Sequence, residues 1–167
     1  MITLRALKLE DADTSYQWRA DAEIRANILG FRLPVSRERE REWVEDTVRN
    51  RAGDKAVLAI ESLEDHSLLG YVYLDKINWI DRTAWFGILI GNRDHHRRGV
   101  GRVATERMLD YAKNQLNLRK IMAEVVVYNQ ASDAFFRKLK FVEEGRIKEK
   151  AYLNGVYHDV CILTKVL

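Results

Sequence analysis

The chain has 167 residues, 47% of them hydrophobic, with 28 Lys and Arg against 25 Asp and Glu for a formal net charge of +3. This suits one domain over residues 1–167 with a sizeable core, and no Pro/Gly/Ser-rich linker divides it. The interleaved charge does not make a nucleic-acid-binding arm, no apolar run is long enough for a bilayer, and the lone Cys161 has no internal disulfide partner, so a cytoplasmic protein with neither nucleic-acid nor membrane partners is expected.

Met1 to Lys8 alternates apolar and polar residues as a strand does, and Asp11 or Asp13 stands where it can cap a helix reaching about Arg19. A short helix is expected over Glu23 to Ile28, and Ser36 is placed to cap another through Arg49. The alternating cluster Arg37-Glu38-Arg39-Glu40-Arg41-Glu42 reads as a solvated helix face with partners three and four residues apart. Ala56 to Glu61, Leu68 to Asn78 and Ala84 to Gly91 then read as three antiparallel strands. Val103, Met108, Leu109, Ala112 and Leu116 define one face of a helix running to about Gln115. Ile121 to Val127 is a buried strand and Ser132 to Leu139 a helix; Val142 to Tyr152 and Val156 to Leu163 form a hairpin through Asn154-Gly155. Cys161 falls in this last strand and is expected to be a buried structural thiol. The order predicts a mixed α/β sheet.

The stretch His96-Arg97-Arg98-Gly99-Val100-Gly101-Arg102 lies between the apolar run Trp85 to Ile90 and the Val103 helix. Strand, glycine loop and helix N-terminus in that order present bare N–H groups and a positive dipole end to an anion, and three arginines add full charge. A structural turn before a helix would look similar. The spacing is not G-x-x-x-x-G-K-[ST], and the dinucleotide fingerprint would need glycine at Ala104, so a different phosphate-bearing molecule is indicated.

These residues resemble the acetyl-CoA signature Q/R-x-x-G-x-G/A of the GNAT superfamily of N-acetyltransferases, with His96 where Gln or Arg is usual. Asn129-Gln130-Ala131-Ser132 followed by Phe135-Phe136-Arg137-Lys138-Leu139-Lys140-Phe141 is similar to the family's N-x-A-S…Y-x-K-x-G-F stretch. The start Ile2-Thr3-Leu4-Arg5 with Tyr16-Gln17-Trp18-Arg19, then Gly145-Arg146 and Tyr152 to Leu163, looks like the branch acting on ribosomal-protein termini, antibiotics, polyamines and amino-sugar nucleotides. The resemblance implies a mainly antiparallel sheet of about seven strands with helices on both faces, acetyl-CoA as co-substrate without a metal, and direct acetyl transfer to a small-molecule or peptide amine. A homodimer is one assembly consistent with it.

By the same resemblance the strand before the loop splays from its neighbour, so Ile88, Leu89 and Ile90 would pair with the pantetheine arm. His96, Arg97, Arg98, Gly99, Val100, Gly101 and Arg102 would hold the diphosphate. Asn129 would contact CoA, a helix cap being the alternative. Phe136 would also contact CoA, but it stands where many members carry the tyrosine that protonates the departing thiolate, and it has no proton to give. Water or Tyr128 is then the expected donor. Glu124, on the same face of its strand as Met122 and Val126, is the candidate base, an exposed or ion-paired role being the alternative, and Asp75 could play a similar part. Trp18, Arg19, Phe31, Tyr73 and Trp85 are the acceptor-pocket candidates, with Arg19 and Arg32 suited to an anionic acceptor. Trp18 has core packing as its alternative. Phe136 also leaves a non-catalytic acyl-CoA-binding or regulatory module as the competing function.

Overall fold

The computed structural model describes residues 1–26, 28–29, 33–50, 53–91 and 98–167. Its elements in order are β1 (Ile2–Ala6), α1 (Asp11–Ala20), α2 (Ala22–Ala26), α3 (Arg37–Arg49), β2 (Ala56–Ser62), β3 (Leu68–Asn78), β4 (Thr83–Ile90), α4 (Val100–Asn114), β5 (Lys120–Val126), α5 (Gln130–Lys138), β6 (Val142–Leu153) and β7 (Val156–Val166). The strands form one seven-stranded sheet in the order β1-β2-β3-β4-β5-β7-β6, antiparallel throughout except where β4 meets β5.

Alternation along β2 and β3 divides the interior between the two faces of the sheet. Ile60, Val72 and Leu74 join Ala104, Met108 and Ala112 of α4 and Phe136 near the end of α5 in the main core. Ala59 on the opposite face packs with Ala12 of α1 and Val44 of α3. The helices thus lie on both faces, as the resemblance implied. Burying apolar area on both sides of a central strand is what lets β3 carry a nearly continuous hydrophobic run.

Local signals acted as expected at several ends. Ser36 accepts the Arg39 N–H at 3.2 Å as the cap of α3, and the β6–β7 turn has Asn154 and Gly155 at φ of 51° and 82°. Cys161 is buried. The start of α1 differs: its cap is Glu10, with no side-chain bond, and Asp11 instead accepts the Lys8 N–H at 2.8 Å and the Arg5 guanidinium at 2.8 and 2.9 Å. Arg5 also pairs with Glu61, so it ties β1 to α1 and β2 and holds the Glu61 carboxyl below its ordinary range, with His66 assisting.

The alternating cluster on α3 is likewise only partly a solvated face. Arg37 and Arg41 reach across to Asp13 of α1 at 3.6 and 3.3 Å, and Glu40 is 1% exposed. Glu40 lies on the same helical stripe as the buried Val44 and Thr47, four and seven residues on, so geometry overrides the charge pattern. Among the described residues no helix is long and apolar enough to cross a membrane.

Candidate active site

The parallel pairing of β4 with β5 covers only Thr83 with Lys120, Ala84 with Ile121, and Trp85 with Met122. Beyond that point β4 continues against β3 and β5 continues against β7, so the two strands part. From Phe86 to Leu89, β4 therefore has no described strand on its β5 side. An unpaired strand edge offers alternating N–H and C=O groups to an extended ligand.

A cavity of about 460 Å³ opens in this gap. Tyr73, Asp75, Trp85, Gly87, Ile88 and Leu89 line it from one side, and Glu124, Val125, Val126, Asn129, Ser132 and Phe136 from the other. Cross-strand register explains the floor: Tyr71 lies opposite Leu89, Tyr73 opposite Gly87, and Asp75 opposite Trp85. A bulge follows Asp75, where Lys76 takes a φ of 50°.

The glycine loop delivers the chain to α4 beside this gap. Gly99 is the N-cap with φ of 80°, its carbonyl accepts the Val103 N–H at 3.1 Å, and no side chain among the described residues caps the helix. Val100 opens α4, and a Cβ on Gly101 would lie 3.6 Å from the side chains of Ile88 and Phe135, which fixes the helix start close against β4. Arg98 and Arg102 are exposed there, Arg102 with a loose 3.9 Å pair to Glu106. His96, Arg97, Phe31 and Arg32 lie outside the described residues.

The other expected residues divide. Ile88 and Leu89 line the cavity, and the side chains of Ile88 and Ile90 both pack on the main core. Asn129 caps α5 by accepting the Ser132 N–H at 3.0 Å, the alternative foreseen for it, and it also lines the cavity. Phe136 lines the cavity too, held edge-on by Phe86, Phe135 and Phe141. Glu124 faces the cavity as one half of an ion pair with Lys150.

Packing corrects two expectations and qualifies a third. Tyr128 is absent from the cavity lining, and its hydroxyl donates to the Ala26 carbonyl at 2.9 Å, which commits the proton it was expected to supply. Trp18 is core: it is 7% exposed, tilts against Tyr71, and its ring occupies the space a Cβ on Gly91 would enter. Arg19 does touch the cavity, but its charge is answered by the buried Glu40 at 3.6 Å instead of standing free for an anionic acceptor.

Lys150 and Gly87 escaped the sequence reading. Lys150 reaches Glu124 across β7 because β6 bulges between Ile147 and Ala151, where Glu149 has a φ of 50°, and no residue type announces such a bulge. Gly87 carried a usable signal, since a lone glycine within a strand marks close approach of another group. That group is the ring of Tyr73. Burial, with Asp75 nearby, pushes the Tyr73 phenol above its ordinary value, and the more deeply buried Tyr71 is pushed up to about 12.

A family model described as an acetyltransferase (GNAT) domain matches residues 1–142. The chain belongs to the GNAT acetyltransferase family. This GNAT chain is 40% identical over 94 residues to spermidine N(1)-acetyltransferase of Vibrio cholerae serotype O1, a match spanning 56% of this chain and only 54% of that protein. The putative ribosomal N-acetyltransferase YdaF of Bacillus subtilis is 27% identical over 161 residues, covering 95% of this chain and 87% of the relative. The crystal structure of spermidine N-acetyltransferase from Vibrio cholerae in complex with CoA and spermine superimposes with a TM-score of 0.89 at 30% identity, over 99% of this chain and 95% of the other.

With the family comes the reaction class, acetyl-CoA-dependent N-acetyl transfer. The residues present fit that co-substrate. The bare edge of β4 suits an extended amide-bearing arm, and the uncapped start of α4 with Arg98 and Arg102 suits a diphosphate.

Proposed function

We propose that this GNAT enzyme acetylates the primary ammonium end of an alkylamine, short polyamines of the spermidine type included. The observation that carries the reading is that two carboxylates, Asp75 and the Lys150-paired Glu124, line the one cavity that opens where β4 and β5 part. Asp75 has no described hydrogen-bond partner. It sits between the aromatic surfaces of Tyr73 and Trp85, so it offers an ammonium one charge and an apolar wall for the attached carbon chain. The likeness to a structure holding CoA and spermine supports the same class. Of the three cations on the described lining, Arg19 and Lys150 are answered by Glu40 and Glu124, and the exposed Lys76 stands on the bulge next to Asp75.

The chain's own groups then have separate tasks. The β4 edge and the start of α4 hold and orient the acetyl donor, and orientation alone supplies a large share of such a rate. Asp75 draws the ammonium in. An alkylammonium with a pKa of about 10 must lose a proton before its nitrogen can attack, and Glu124 receives it directly or through water.

Replacing Glu124 by Gln is expected to lower turnover about 100-fold near pH 7 and progressively less as the pH approaches the amine's own pKa, because there the amine needs no base. A pH profile parallel to wild type would remove Glu124 from proton transfer. The acceptor class is tested by mass spectrometry of products from acetyl-CoA and a panel of spermidine, spermine, a monoamine of matched length, an N-terminal peptide and an amino-sugar nucleotide. Acetylated alkylamines with the others unmodified are expected, and acetylation of the peptide or sugar nucleotide alone would overturn the acceptor assignment.

A further inference from the structure

Two tyrosines line the cavity, and their surroundings set them apart. Tyr71 is 3% exposed and packed between Trp18 and Trp43, with ring centroids at 6.1 and 5.5 Å. Tyr73 instead extends over β4. A Cβ on Gly87 would lie 2.0 Å from Cζ of Tyr73 and 2.2 Å from its hydroxyl, so the phenol lies directly across the glycine, within the bare-edged run Phe86 to Leu89. Only a residue without a side chain at position 87 permits this crossing. The Tyr73 hydroxyl has no hydrogen-bond partner among the described residues.

The proton inventory of the site points the same way. Phe136, on the opposite wall, carries none to give, and that of Tyr128 is bound to Ala26. Lys150 spends its charge on Glu124, Lys76 is exposed on the bulge of β3, and Ser132 carries an alcohol, a far weaker acid than a phenol. We infer that Tyr73 is the proton donor to the departing thiolate, an assignment that rests on the acetyl-transfer reading above.

The step balances as follows. The amine nitrogen forms a C–N bond to the thioester carbonyl carbon, the C–S bond breaks, and its electron pair leaves on sulfur. The thiolate takes the Tyr73 hydroxyl proton, and the phenolate regains one from solvent. The ionisable groups around the phenol are Asp75, Lys76 and Tyr71 on its own strand, Arg19 from α1, Glu124 with Lys150 across the gap, and, on the side toward α3, Arg39, Glu40, Glu42 and Asp46 with Lys55. Burial keeps the phenol protonated through neutral pH, the state a donor needs.

Tyr73→Phe is expected to lower kcat about 100-fold with the KM for acetyl-CoA within about twofold of wild type, since the ring and its packing remain. Incorporating 3,5-difluorotyrosine at position 73 makes the phenol more acidic and is expected to bring the basic limb of the kcat profile down by the same interval as a separately measured ultraviolet titration of that phenol. A kcat within about twofold of wild type in Tyr73→Phe would overturn the assignment. So would a fluorotyrosine profile superimposable on wild type, which would leave the residue a packing role. Turnover of the wild-type enzyme with the amine panel is the separate test of the acetyl-transfer reading.

Discussion

Gly99→Val should raise the KM for acetyl-CoA about tenfold or more while leaving the fold in place. Gly99 caps α4 at a φ of 80° and has no described residue within 4 Å of where its Cβ would be, so the penalty comes from the backbone. A non-glycine residue in the left-handed region costs about 1–2 kcal/mol, and a β-branched one sits at the upper end. The exposed loop relieves that strain by turning away, which moves the Val100, Gly101 and Arg102 N–H groups from their common aim. Because about 1.4 kcal/mol is a factor of ten in affinity, the strain and the lost donors together reach the stated effect. Steady-state kinetics with thermal melts check it. An unchanged KM would detach the diphosphate from this helix start.

A second large effect is expected in stability. Glu40→Ala should remove about 3–5 kcal/mol and lower the Tm by about 10 °C. Glu40 is 1% exposed, accepts the Ser15 hydroxyl, and faces Arg19 at 3.6 Å, so α3 is joined to α1 through a buried carboxylate. Deleting it leaves the Arg19 guanidinium, itself only 16% exposed, in the interior with no opposing charge, which costs more than the pair ever contributed. Arg19 also borders the active-site cavity, so acetyl-CoA turnover per folded molecule should fall with it. Calorimetry decides the matter: a Tm within about 2 °C of wild type would mean that water already reaches this pair.

The order of strands and helices could be read because its signals are local. The apolar stripe from Val103, the cap at Ser36 and the Asn154-Gly155 turn depend on residues within one or two turns of each other. The parting of β4 from β5 is a relation between strands whose paired residues, such as Thr83 and Lys120, are 37 positions apart in sequence; it became legible only through the glycine loop and its family resemblance. Glu40, Trp18 and Tyr128 were misplaced for one shared reason. Each side chain suits solvent, a binding site or chemistry by type, and each was claimed by tertiary contacts with Arg19, Gly91 and Ala26. Bulges at Lys76 and Glu149 re-aim Asp75's neighbours and Lys150 without any distinctive residue to mark them. Gly87 and Tyr73 sit between these cases. The glycine was visible in the strand, but its purpose needed the register that sets it opposite Tyr73.

The claim underlying all of this is that the β4 edge and the start of α4 together hold the acetyl donor. Amide hydrogen exchange of the intact chain with and without CoA measures it directly, because each backbone N–H reports its own protection. Binding should slow exchange at residues 86–89 and at Val100, Gly101 and Arg102, with little change in the β6–β7 hairpin. Protection confined to other segments, with these amides exchanging as in the free protein, would contradict it.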